Sequence, residues 1–315
     1  MSAGGDRSEP ILGVILAAGR GTRLAPFSER YPKPILPILG KPLLRYQVEW
    51  MRELGIRRVF VVIGHLGYEI VRALGDGSDL GVSIEYVEQQ HALGIAHAVT
   101  RLEEHIDRPF LLFLGDIFFV HTDLRSMIRC LRGEDVDGVL AVKEEPSVEA
   151  IQRNFAVLES DEGYVTRVIE KPHHPPTRLK GCGIYLFDLS FFDAARRTPR
   201  TAMRDEYEIT DAIQIFLDDG HRVRAARVIE DDLNLSYPSD LLEINLRVLG
   251  DRELVGNQVK LPPGCRVERS VIMDGAVVEQ PVTIRESLIF PGARVSGSAD
   301  LVRQIVTPDA LIDCR

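Results

Sequence analysis

Between Ile11 and about Gly250 the chain alternates two hydrophobic periods. Unbroken apolar runs at Ile11–Ala18, Val59–Ile63, Val82–Val87 and Phe110–Leu114 have the length and composition of strands buried on both faces. Between them, Leu44, Val48 and Met51 recur at helical spacing, as do Ile95, Val99, Leu102 and Ile106, which predicts crossover helices. The stretch "TDLRSMIRCLRG" predicts a helix capped by Thr122 or Asp123 and ending at Gly133, returning the chain to the strand "GVLAVK". After Pro146 the pattern is richer in short strands, "FAVLES", "YVTRVIE" and "CGIYLFD", followed by helices starting at Glu208 and Pro238. This order predicts an α/β fold with helices on the faces of a sheet.

The last sixty or so residues obey another rule. "SVIMDGAVV" from Ser270, "SLIFPGARV" from Ser287 and "QIVTPDALI" from Gln304 recur every 17 residues with apolar side chains at matching offsets. Such a period predicts stacked coils of a β-helix, each burying branched side chains against the next. An open edge on such a stack needs a cap or a partner subunit, which predicts a homo-oligomer.

Composition narrows the classes. The chain has 315 residues, 45% hydrophobic and 27% charged, with no apolar run near the ~20 residues of a membrane span. Its first residues, "MSAGGDRSE", are small and polar without the apolar core of a secretory signal, so residues 1–10 read as a disordered leader on a cytoplasmic protein. Cys130, Cys182, Cys265 and Cys314 lie far apart without metal-ligand or disulfide-framework spacing. A net charge of -9 argues against general nucleic-acid binding. An anionic small ligand would therefore have to meet a local cationic patch.

That patch lies directly behind the first strand, in "LAAGRGTRLAPFSERYPKPILPILGKP" from Leu16 to Pro42. Gly19 and Gly21 let the backbone approach a bulky anion, and its N–H groups can then point at phosphate oxygens. The spacing fits neither the dinucleotide fingerprint, which wants glycine where Leu24 stands, nor a P-loop, which wants Gly-Lys-Ser/Thr. Arg23 and Lys33 instead follow in a segment stiffened by Pro26, Pro32, Pro34 and Pro37. Arg20 or Arg30 alone would read as solvated surface.

The segment resembles the signature of the sugar-1-phosphate nucleotidylyltransferases, among them the long-form glucose-1-phosphate thymidylyltransferases and related uridylyltransferases. The resemblance continues in order through "QQHALGIAHAV", "LGDIFF", "VIEKP", "GIYLFD", "EITDAI" and "LNLSYPSDLLEIN". It implies a Rossmann-like nucleotidyltransferase domain with a mixed sheet over 11–252 and a short left-handed β-helix over 253–315. The implied reaction joins dTTP or UTP to glucose 1-phosphate, giving NDP-sugar and pyrophosphate with Mg2+. Alternatives are a GTP-dependent mannose-1-phosphate guanylyltransferase, or a regulatory homologue that binds a nucleotide sugar without turnover. An acetyltransferase tail is a weaker reading, since about three coils are few for an acyl-CoA cleft.

By the same resemblance Arg23, Lys33 and Lys171 serve catalysis. Leu16, Ala17, Ala18, Gly19, Gly21 and Thr22 hold the nucleotide, and Gln89 and Gly94 read its base. Glu170, Lys171, Gly183 and Glu208 meet the sugar phosphate, with Asp211 near them. Asp116 and Asn234 are the implied metal positions. Chain chemistry agrees for Asp116, which follows the strand "FLLFLG" and offers a hard oxygen at a strand's C-terminal end, although Gly-Asp pairs are also ordinary turns. Asn234 stands where many relatives carry Asp and brings no charge, with Asp232 as a helper. Ala156 takes a position that is usually glycine, where its methyl would narrow the sugar pocket. Bland readings remain for each: an exposed Glu-Lys pair before a turn for Glu170 and Lys171, and first-turn helical acids for Glu208 and Asp211.

Overall fold

The computed structural model describes residues 10–202 and 205–315. The described residues pack as two compact units, one of residues 10–19 with Gln47–Asp232, the other of Arg20–Tyr46 with Leu233–Arg315.

In the first unit nine strands among the described residues form one mixed sheet. Leu12–Ala17 lies between Arg58–Ile63 and Phe110–Leu114, parallel to both, and Ser83–Glu88 extends this parallel half beyond Arg58–Ile63. Leu179–Phe187 pairs antiparallel with Phe110–Leu114, with Gly138–Glu144 along its opposite edge, and at Lys180 with Ala156 of Phe155–Glu159. Residues Val14, Ile15, Phe60, Val62, Leu112 and Phe113 are wholly or almost wholly buried, as strands covered on both faces require. The four predicted strands of the parallel half are all present to within a residue.

Several expectations need correction. The helix Arg125–Gly133 takes no side-chain cap from Thr122 or Asp123. The Asp123 carboxylate instead accepts from Arg129 at 2.5 Å, while its backbone oxygen accepts from Ser126. The helix from Ile95 ends at Thr100, and turns carry Leu102 and Ile106 into the core. Bonds such as Leu102 N to Val99 O tighten the chain there, so the apolar spacing marks burial correctly but not helical continuity. The helix Gly67–Leu74 and the strand Ile117–His121 were not anticipated.

In the second unit short strands stack in parallel ladders with a constant 17-residue offset. Val271, Leu288 and Ile305 are successive partners, as are Arg266 and Thr283, and Val277 and Arg294. The first ladder begins one step before the visible repeat, with Leu254 beside Val271. Buried serines join the layers: Ser270 Oγ accepts from Ser287 N at 3.0 Å, and Ser287 Oγ accepts from Gln304 N at 3.1 Å. The third repeat departs from the pattern. Leu311–Asp313 turns back and pairs antiparallel with Gln304–Val306. Thr307 closes this hairpin, its hydroxyl accepting from Ala310 N at 2.9 Å, and the returning strand covers the ladder's last edge.

Within that same unit the signature segment is packed as part of the core. Phe27 is 2% exposed and stacks on Phe290 with ring centroids 5.4 Å apart. Fully buried Asn245, on the helix Pro238–Leu249, accepts from Leu39 N and donates to Pro37 O. Among the described residues no helix is long and apolar enough to cross a membrane.

Candidate functional site

The second unit holds the cationic segment. Gly21 has φ +63°, and a Cβ there would lie 2.7 Å from the Lys33 side chain. Glycine is thus required twice, for its backbone conformation and because the Lys33 stem runs against it. Lys33 is 8% exposed, with its aliphatic stem seated against the Gly21 backbone. Arg23 lies on the short 3-10 helix Thr22–Leu24, anchored by fully buried Leu24, and its guanidinium sits 5.5 Å from the centre of the Tyr237 ring. Asn234 ends the strand Ile229–Asn234, three residues before that tyrosine. Gly21, Arg23 and Lys33 therefore belong to one packed segment.

The first unit holds the other predicted residues in separate groups. Ala17 and Ala18 are buried at the end of the first strand, whereas Gly19 is exposed and an added Cβ there would meet nothing within 4 Å. Among the described residues none would meet a Cβ at position 19.

Asp116 occupies the tight turn between Phe110–Leu114 and Ile117–His121. Gly115 allows that turn to approach the first strand, since a Cβ would lie 2.7 Å from Leu16 O. Fully buried Gln47 clamps the turn on both sides, its Nε2 donating to Leu114 O and Ile117 O at 2.9 Å each. The sequence carries a signal for this residue: a glutamine at the inward position between Leu44, Val48 and Met51 must have polar partners. Gln47→Leu leaves the Leu114 and Ile117 carbonyls, the second of them in a buried bond, without their donor, and is expected to lower unfolding free energy by about 1 to 3 kcal/mol. A chemical denaturation midpoint checks this.

Gln89 is 6% exposed at the end of the strand Ser83–Glu88, and its side-chain Nε2 lies 2.9 Å from His97 Nδ1. Burial first, then the charges of Arg101 and His91, hold His97 below the ordinary histidine pKa. The ring is therefore neutral at pH 7 and its Nδ1 accepts, which leaves Gln89 with one N–H and its carbonyl oxygen. Gly94 has φ +111°, and a Cβ there would lie 2.4 Å from Tyr207 O. The turn from Gly94 can thus lie against Tyr207, where Ala96 N donates to Tyr207 O and Tyr207 N to Leu93 O. His97 was not singled out in the sequence.

Glu170, Lys171, Glu208 and Asp211 do come together, lining a cavity of about 570 Å3 with Gln152 and His173. Lys171 adopts φ +41°, and its backbone N–H donates to Asn154 O at 2.7 Å, which fixes the bend before Pro172. Glu170 accepts from Thr210 at 3.2 Å and faces its neighbour Lys171 at 3.5 Å. Burial, and secondarily Glu170, raise the Asp211 carboxyl above its ordinary pKa. Glu208 precedes the helix Ile209–Asp218 and is 8% exposed.

Two expectations meet different surroundings. Gly183, with φ +73°, lies where Leu179–Phe187 bulges, and an added Cβ would meet Ile117 at 2.8 Å and Leu114 at 3.1 Å; it is not among the residues lining the cavity. Ala156 is fully buried opposite Lys180 and does not line it either. Asp232 accepts from Lys180 Nζ at 2.7 Å, with side chains 1% and 3% exposed, inside a cluster that includes Lys143, Glu145 and Asp231. That carboxylate therefore anchors a buried ion cluster.

A mixed α/β sheet whose first strand is followed in the chain by a glycine- and cation-bearing segment has the chemistry to meet phosphate groups, and the family follows from comparison with known proteins. The nucleotidyl transferase family profile matches residues 12–244, and the chain belongs to that family, among its sugar-1-phosphate nucleotidylyltransferases. It is 36% identical over 235 residues to the UTP–glucose-1-phosphate uridylyltransferase AglF of Haloferax volcanii, covering 75% of this chain and 95% of that protein. It is 34% identical over 293 residues to a glucose-1-phosphate thymidylyltransferase of Streptomyces griseus, covering 90% of this chain and 79% of that one. Among solved structures it resembles a Bacillus anthracis protein assigned as a glucose-1-phosphate thymidylyltransferase, in complex with sucrose. The TM-score is 0.66 and the identity 25%, over 75% of this chain and 94% of that one.

Proposed function

We propose that this protein transfers a nucleotidyl group from dTTP or UTP to glucose 1-phosphate, giving an NDP-sugar and pyrophosphate. The observation that carries the reading is the signature segment itself: Gly21 makes room for the seated Lys33 stem, and Arg23 stands on the same turn. An oxygen of the sugar phosphate attacks the α-phosphorus in line, the bond from that phosphorus to the bridging oxygen breaks, and pyrophosphate leaves. No covalent enzyme intermediate is needed, so the protein's task is to position both substrates and stabilise charge.

Arg23 supplies a forked donor to the β- and γ-phosphates and to the departing pyrophosphate, and Lys33 a point charge near the reacting phosphorus. Leu16, Ala17, Ala18, Gly19, Gly21 and Thr22 form the backbone cradle of the nucleotide. Lys171 holds the phosphate of the sugar phosphate, while Glu170 and Glu208 accept from sugar hydroxyls and Gly183 shapes the neighbouring strand.

Asp116 and Asn234 would hold Mg2+. Among the described residues no three acidic, histidine or cysteine side chains are grouped to hold a metal. One carboxylate and one amide oxygen nevertheless fit an ion that keeps waters and substrate phosphates as its other ligands. Bound there, the ion would neutralise phosphate charge. The ladders with a 17-residue offset support a short left-handed β-helix over 253–315 beyond a transferase domain over 11–252, and assembly as a homo-oligomer in the cytoplasm belongs to the same reading.

The remaining N–H and carbonyl of Gln89, with the Gly94 backbone, suit the compact edge of a pyrimidine. Groups left unpaired by a wrong base discriminate strongly, whereas the thymine methyl is worth only about 1 to 3 kcal/mol. Initial rates with glucose 1-phosphate are therefore expected to show dTTP and UTP both used and GTP poor. A clear preference for GTP with mannose 1-phosphate would move the substrate assignment to the guanylyl enzymes.

A further inference from the structure

Tyr237 is absent from every role assigned above, yet it is the residue on which Arg23 rests. We propose that the Tyr237 ring is a positioning residue that holds the Arg23 guanidinium in the orientation that receives the triphosphate and pyrophosphate. The inference rests on the reading that Arg23 meets those phosphates.

The chain fixes the ring from its backbone. Pro238 opens the helix Pro238–Leu249, and a residue before proline is pushed to extended conformation; Tyr237 has φ -125° and ψ 160°. Asp240 then folds back, its Oδ2 accepting from Ser236 N at 2.8 Å and from Tyr237 N at 2.7 Å. The Tyr237 carbonyl in turn accepts from Asp240 N at 3.0 Å. Backbone donor and acceptor of Tyr237 are thus both committed, while the residue stays 48% exposed. Half-exposed aromatic surface has a cost, and here one face of the ring carries a cation 5.5 Å from its centre.

That geometry suits a phosphate-binding arginine. A guanidinium that turns its flat face to a ring keeps its five N–H donors in its own plane, pointing outward. Bidentate contact to phosphate oxygens uses those in-plane donors, so stacking and anion binding do not compete. A carboxylate partner would compete, because it would occupy the same donors and cancel the charge. Among the described residues Arg23 has no such ion pair, and Tyr237 supplies orientation without neutralisation. An exposed arginine loses side-chain entropy when it grips a ligand, and an arginine already resting on a ring loses less.

The test is a double-mutant cycle read by pyrophosphate-release kinetics, by calorimetric titration with inorganic pyrophosphate, and by thermal melting. Tyr237→Leu keeps bulk but removes the π face. It is expected to lower kcat/KM by roughly 3- to 30-fold, the range of a cation–π contact, and to weaken pyrophosphate binding in parallel, without a matching fall in Tm. Tyr237→Phe, which keeps the face and loses the hydroxyl, is expected to recover what Tyr237→Leu loses. In an Arg23→Ala background Tyr237→Leu is expected to change kcat/KM by less than about twofold, because the two residues act as one unit.

An undiminished loss in the Arg23→Ala background would overturn the inference, as would Tyr237→Leu behaving like the parent protein. An Arg23→Ala variant with full activity would overturn the phosphate role of Arg23 first and this inference with it. The two failures are therefore told apart by the single variants.

Discussion

Arg23→Ala is expected to reduce kcat/KM by at least ~100-fold, because the charge it meets on pyrophosphate grows as the bond to the α-phosphorus breaks. Contacts that strengthen only along the reaction typically contribute a few kcal/mol, each 1.4 kcal/mol being a factor of ten. The structure makes this variant informative, since the Arg23 side chain is exposed and the anchor of its turn is the neighbouring Leu24. Melting should therefore be almost unaffected while turnover collapses. Steady-state pyrophosphate release beside a thermal melt reads both, and full activity would remove Arg23 from the chemistry.

Deleting the residues after Gly250 is expected to cost activity as well as stability. Phe27 would lose the Phe290 ring it stacks on, and Arg30 its ion-pair partner Asp309. Losing a buried aromatic contact of that size typically costs about 3 to 5 kcal/mol. Because Phe27 lies between Arg23 and Lys33 in the chain, its loosening should be felt as a weaker grip on triphosphate. A triphosphate KM raised at least ~10-fold, together with a lower melting temperature, is the expected outcome. Phe290→Ala should reproduce part of it without removing any backbone. A truncated chain with parental KM and melting point would show the coils to be dispensable for the segment.

The parts of the fold legible in the sequence are those where a single period decides the structure. Strands such as Phe110–Leu114 are apolar throughout and were placed to the residue. The helix from Ile95 was overextended because Val99, Leu102 and Ile106 mark a buried face, and tight turns can present the same face as a helix. The final repeat kept its spacing but folded back, because Thr307 and Pro308 make a turn where the earlier copies continue to the next layer.

Site residues divide along a similar line. Gly21, Arg23 and Lys33 stand close together in one motif, and the sequence presents them as a unit. Gln47 reaches the Asp116 turn across about seventy residues, and His97 reaches Gln89 by folding the turn at Gly94 back on itself. Tyr237 meets Arg23 from more than two hundred residues away. Positions that support a functional residue from a distance carry no spacing rule. A buried polar residue in an apolar stripe, as at Gln47, is the one local trace they leave.

The central claim is transfer of a nucleotidyl group from a triphosphate to a sugar 1-phosphate, and phosphorus NMR of the complete reaction tests it most directly. With purified protein, Mg2+, UTP or dTTP, and glucose 1-phosphate, the account predicts equal amounts of pyrophosphate and NDP-glucose, with neither formed when the sugar phosphate is omitted. Release of orthophosphate from the triphosphate, or no consumption of any triphosphate with glucose or mannose 1-phosphate, would contradict it.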